Sequence, residues 1–145
     1  MNSRKLLFGT ALALAATVVI ADSQGPEIKT VMTVADVHEL KPGPKWDPST
    51  DDVVVLVRGY LRDSINMYIY ATKEQAQLQD YSGVFVSADD EDKLRPRCSE
   101  GYVELVARLG WMEKERQPVL IPIEAKKLTL RERGWPEEET CWKAE

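Results

Sequence analysis

Histidine is almost missing from this 145-residue chain: His38 stands alone. A Ser-His-Asp hydrolase would have to use it, and no serine sits in a nucleophile-elbow context. Cysteine is nearly as scarce, with only Cys98 and Cys141, so no C-x-x-C redox pair exists. One histidine and two cysteines are also too few for a zinc site. The eight glycines form no phosphate-binding loop. No metal and no cofactor are expected on these grounds. Basic charge is short as well: 19 Lys and Arg face 24 Asp and Glu. An acidic chain repels the phosphate backbone unless its cations cluster, which argues against a nucleic-acid partner. Carboxylates are the one catalytic resource in good supply. No pair stands out, so a glycoside-cleaving arrangement stays open.

Charge is wholly missing from Leu6 to Ala21. Arg4 and Lys5 precede that run, and Val19-Ile20-Ala21 ends it with small residues where a signal peptidase reads. This is the form of a secretory signal, expected to be cut before Asp22. Sixteen uncharged residues are short of the roughly 20 that a membrane helix needs, so no membrane span is expected after cleavage. Removal of residues 1–21 deletes two cations and no anion, which takes the formal net charge from −5 to −7. The destination is periplasmic or secreted. In such an oxidising compartment Cys98 and Cys141 are expected to pair within the chain; two free thiols or an intermolecular bridge are the alternatives.

The richest stretch is Val53-Val54-Val55-Leu56-Val57-Arg58-Gly59-Tyr60-Leu61-Arg62. Five aliphatic residues, four of them β-branched, favour a strand over a helix. After Val57 the run alternates, with Arg58, Tyr60 and Arg62 on one side and Gly59 and Leu61 on the other. A glycine at that point suits a sharp bend of a small barrel. Further strands are expected at Asn66–Ala71, Val84–Ala88, Tyr102–Leu109 and around Val119–Ile123, with Pro122 marking an edge or a bulge. Thr33-Val-Ala-Asp36 reads as a capping box opening a helix to Leu40, and Thr72 caps a second short helix. The acids Asp89 to Asp92 lack the glycine and distal Glu of a calcium loop and read as a solvated loop or helix start.

The expected domains are a signal peptide at 1–21, a mobile leader at 22–32, an OB-like domain at 33–130, and a tail at 131–145 tied back by the disulfide. The expected fold is mainly β: a five-stranded OB-type Greek-key barrel with one or two short helices. The helix Thr33–Leu40, the strand Val55–Leu61 and Tyr102-Val-Glu-Leu-Val-Ala107 resemble small exported bacterial OB-fold proteins. Met67-Tyr-Ile-Tyr70 followed by Thr72-Lys-Glu, and Cys141-Trp142, are similar to one group among them. The resemblance implies the fold and carries over no activity.

Parity places Arg58, Tyr60, Arg62, Tyr68, Tyr70, Tyr102 and Arg108, together with Phe85, on the strand faces away from the core. Tyr and Arg are enriched at binding hot spots, and OB barrels bind across strands two and three. The first expectation is therefore a non-enzymatic binding module for an envelope protein, peptide or glycan. A carboxylate-based envelope hydrolase or inhibitor is the second, and a single-stranded nucleic-acid binder a distant third. The same tyrosines would otherwise be packing beneath the helices and the tail.

Overall fold

A computed structural model describes residues 30–87, 91–130 and 136–145. The signal segment, residues 22–29 of the leader and Trp135 lie outside the described residues, as do Asp89 and Asp90 of the acidic run.

The long aliphatic run forms β2 (Val54–Asp63), the strand on which the barrel closes. It pairs antiparallel with β3 (Met67–Tyr70) and, along its other edge, with β5 (Gly101–Met112). β3 pairs with β4 (Val84–Val86), β4 runs parallel to β6 (Gln117–Leu130), and β6 returns antiparallel to β5. The order β2-β3-β4-β6-β5-β2 is thus a closed five-stranded barrel, and it has OB-like topology. Inward residues follow the parity of the sequence. Val55, Val57, Leu61, Met67, Ile69, Val103, Leu105 and Ala107 fill one buried core.

Among the described residues three short helices flank the barrel. α1 (Val34–His38) starts at the expected capping box: the Asp36 amide donates to Thr33 Oγ1 at 3.0 Å, and the Thr33 amide donates to Asp36 Oδ2 at 3.2 Å. Val34 and Val37, three apart, turn into the core. α2 (Lys73–Leu78) is capped by Thr72. α3 (Glu91–Cys98) closes the gap between β4 and β5, with Leu94 and Cys98 four residues apart on its buried face. The barrel is capped at that end by a helix where the sequence allows either a loop or a helix start.

Two further strands lie outside the expected five. Thr30–Met32, placed in a mobile leader by the sequence, forms β1, parallel to Val55–Val57 of β2. Pro136–Lys143, placed in a charged tail, forms β7 against β6. The disulfide expected for the tail is present, joining α3 to β7 with the Cα atoms of Cys98 and Cys141 5.6 Å apart. β7 slips register between Trp142 and Thr140, so Cys141 is an extra residue in the ladder. That bulge is why two adjacent residues, Cys141 and Trp142, both pack against the core. A second bulge falls at Pro122 and Ile123 in β6, where the proline has no amide to offer the ladder.

Candidate functional site

The strand registers set the outward side chains in rows. Tyr60 lies between Tyr70 and Tyr102, Arg62 is opposite Tyr68, and Tyr68 is opposite Phe85. The rings meet edge to face, with centroids 5.3 Å apart for Tyr60–Tyr102 and 5.6 Å for Tyr68–Phe85. Parity therefore holds: this cluster stands outside the barrel interior.

Much of it is nonetheless covered. α2 lies across the rows and buries Ala76 against Tyr60 and Tyr70. Arg62 Nη1 donates to the Ala76 carbonyl at 2.6 Å, and the Lys73 amide donates to the Tyr102 hydroxyl at 3.1 Å. Tyr60 and Tyr70 are left only 8% and 5% exposed. They hold α2 to the barrel, as do Arg62 and Tyr102, and do not form an open face. Arg58 is committed elsewhere: its Nη2 lies 2.6 Å from Oε2 of the buried Glu104. Arg108 sits apart from the tyrosines, paired with Asp52 at 3.2 Å. Of the seven expected site residues, Tyr60 and Tyr70 are buried, Arg62, Tyr68 and Tyr102 are half-buried, and Arg58 and Arg108 are exposed in their ion pairs; Tyr68 borders a groove with Tyr70 beneath it.

Burial pushes the Tyr60 phenol above its ordinary pKa, and the nearby Glu100 carboxylate adds to the effect. Burial does the same for Tyr70, helped by Tyr68 beside it. Both phenols are then harder to ionise in the folded chain than in the unfolded one. The stability they contribute is whole below the ordinary value of 10.0 and is lost as pH rises past it towards the folded values. The melting temperature should fall above about pH 10, and fall less in a Tyr60→Phe/Tyr70→Phe variant. An equal fall in both proteins, followed by circular dichroism, would assign the alkaline loss to other groups.

The groove beside Tyr68 has a volume of about 260 Å³. Ser64, in the β2–β3 turn, forms one lip. Gln79, Asp80 and Tyr81, after α2, form the other, and Gln117 closes the end at the start of β6. Tyr81 is 97% exposed. Asp80 is occupied locally, accepting from the amide and hydroxyl of Ser82. Gly83 keeps the floor in place: a Cβ there would lie 2.6 Å from Tyr70 Cε1.

Two more grooves adjoin this one around the β5–β6 turn. A small one, about 200 Å³, shares Gly83 and Gln117 with the first and adds His38, Lys41 and Arg116. The largest, about 490 Å³, shares Lys41 and Arg116 with the small one and runs between Pro42 and Trp111. Trp111 is held edge-on by the buried Trp46, their centroids 6.2 Å apart. The shared residues make the three grooves one track, which passes from the β2–β3 turn to the β5–β6 turn. Those are the two loops that OB barrels use for ligands. Sequence reading missed Tyr81, Lys41, Trp111 and Arg116. Tyr81 carried a signal, a large aromatic between two turn residues with no apolar partner in register.

Among the described residues no group of three His, Cys, Asp or Glu is placed to hold a metal ion. No helix among them is long and apolar enough to cross a membrane. The class these features define is an OB-like barrel with a disulfide-tied β7 extension. No protein-family model matches the chain, and no curated protein or solved structure does either.

Proposed function

We propose that this chain is an exported, non-enzymatic binding module of the cell envelope, whose protein, peptide or glycan partner lies along the three-groove track. One observation carries the reading: the track has an accessible aromatic at each end, Tyr81 fully open and Trp111 half-open, in the position where OB barrels take ligands. A fully solvated tyrosine adds nothing to the folding core, whereas a partner would cover it. The intrachain disulfide fits an oxidising compartment.

A hydrolase working through carboxylates would need two acids about 5–10 Å apart across one groove. Each groove contributes one described carboxylate: Asp80, Glu115 and Glu113 in turn. The binding reading is therefore preferred to the enzymatic one. Tyr81→Ala should reduce crosslinked capture from envelope extract at least about tenfold, which is roughly 1.4 kcal/mol. Its melting temperature should stay within a degree or two, because the ring packs on nothing. Undiminished capture by this variant would remove the track from consideration.

A further inference from the structure

Among the described residues two strands pair with one neighbour only: β1 with β2, and β7 with β6. The chain guards them unequally. β7 begins with Pro136, continues through Glu137, Glu138 and Glu139, bulges at Cys141 and is packed by α3. Proline, charge, a bulge and a covering helix are the devices that keep a strand edge from pairing with another chain. β1, Thr30-Val31-Met32, has no proline, no charge and no register shift. Among the described residues its outer edge has no backbone partner, and Val31 at its centre is 72% exposed. A groove of about 390 Å³ opens where β1 runs into α1, lined mainly by the apolar side chains of Val31, Met32, Val34 and Ala71. Its two charged lining residues are one acid and one cation, each engaged within the chain. Asp36 Oδ2 accepts from the Thr33 amide at 3.2 Å, and Arg58 Nη2 lies 2.6 Å from Glu104 Oε2. Charge in this groove is balanced and paired, which suits an uncharged occupant.

We propose that β1 takes an extended, uncharged segment of a partner protein as an added strand, with an apolar side chain of that segment in the groove beside Ala71. The backbone commits the site to a polypeptide. Alternate residues of β1 turn their amide and carbonyl groups away from β2. A second strand offers donors and acceptors at the matching spacing, which a glycan, a lipid or a nucleic acid does not. Side chains of the added strand alternate, so those on the outer side would cover Val31 where it stands next to Leu56 of β2. The groove then takes a side chain at the α1 end and fixes the register of a strand that β1 alone, three residues long, would hold weakly. This site shares no residue with the three-groove track and is a second surface, independent of it.

The folded, disulfide-bonded protein can be titrated with three fluorescein-labelled heptapeptides and followed by anisotropy. One alternates valine and threonine, one is its backbone N-methylated form, and one has glutamate in place of each valine. The first should bind and slow amide exchange in Thr30–Met32 while exchange at Tyr81 stays unchanged. The other two should bind at least about tenfold more weakly. Val31→Lys places a guarding charge on the edge and should weaken the first peptide at least about tenfold. Its melting temperature should not move, because the Val31 side chain is exposed. Equal binding of the N-methylated peptide would overturn strand addition, and equal binding of the glutamate peptide would overturn the uncharged occupant. Undiminished binding by Val31→Lys, or no binding of any probe, would overturn the site. Protection at Tyr81 in place of Thr30–Met32 would also overturn it and leave the track as the peptide site. A dimer in sedimentation that Val31→Lys dissolves would make the occupant a second copy of the chain and overturn the partner segment.

Discussion

Gly59→Ala should lower the stability of this protein by at least about 3 kcal/mol, the upper end of what overpacking a core usually costs. Gly59 sits in the middle of β2 at the crowded inner bend of the barrel. A Cβ there would overlap the Tyr70 carbonyl oxygen on β3 and stand 2.9 Å from Ile69 Cγ1 and 3.0 Å from Val34 Cγ2. The first obstacle is backbone, in the strand next to β2, and cannot swing aside as a side chain would. Relief would require β2 and β3 to separate where Tyr60 pairs with Tyr70. That separation would also loosen α2, because Ala76 packs on the same two tyrosines. For a domain of this size the loss is a melting-temperature drop on the order of 15 °C. Gly43→Ala is the matched control: nothing lies within 4 Å of its Cβ position, so its shift should stay within about 0.5 kcal/mol. A Gly59→Ala protein that melts within a few degrees of the parent would show that β2 and β3 part easily, and that the barrel is not closed by that contact.

Loss of the disulfide should cost nearly as much. The cysteines are 43 positions apart, and closing such a loop restricts the unfolded chain by about 4 kcal/mol on the chain-entropy model. In the folded state the bond joins α3 to β7, and β7 packs chiefly on β6 of the barrel and on α3. Cys98 is fully buried and Cys141 half-buried, so reductant has its access to the bond from the Cys141 side. A Cys98→Ala/Cys141→Ala variant should shift the urea midpoint downward by an amount equal to about 2–5 kcal/mol. Amide exchange in Glu139–Lys143 should rise more than exchange in β5, because β7 is the element whose tether is gone. An unchanged midpoint would show that β7 pairing and the packing of Trp142 hold the C-terminal strand unaided.

The candidate binding surface is less legible than the barrel, and the reason is visible in particular residues. Parity along a strand is local, so Arg58, Tyr60 and Arg62 could be placed outside and Val57, Gly59 and Leu61 inside from spacing alone. Whether an outward residue stays open depends on what crosses above it. α2 has a single buried side chain, Ala76, and that one small residue carries almost no hydrophobic pattern to announce a docked helix. Spacing alone therefore leaves Tyr60 and Tyr70 open between a surface and packing beneath a helix, and the structure makes them the seat of α2. The track itself joins Lys41, Tyr81, Trp111 and Arg116, residues up to 75 positions apart in sequence that no local motif links.

What the chain determines by itself is local: the capping box of α1, the identity and facing of β2, β3 and β5, the break at Pro122, and the only possible intrachain disulfide. Each follows from short-range sterics, from side-chain alternation or from a count of residues. Only the tertiary structure decided that Thr30–Met32 and Pro136–Lys143 are strands, because short or charged segments become strands when a neighbour supplies their hydrogen bonds. The same holds for the coverage of the tyrosines and for the three adjoining grooves. These arise along the flank of the barrel between the β2–β3 turn and the β5–β6 turn, past the α2–β4 turn, an arrangement set by closure of the sheet.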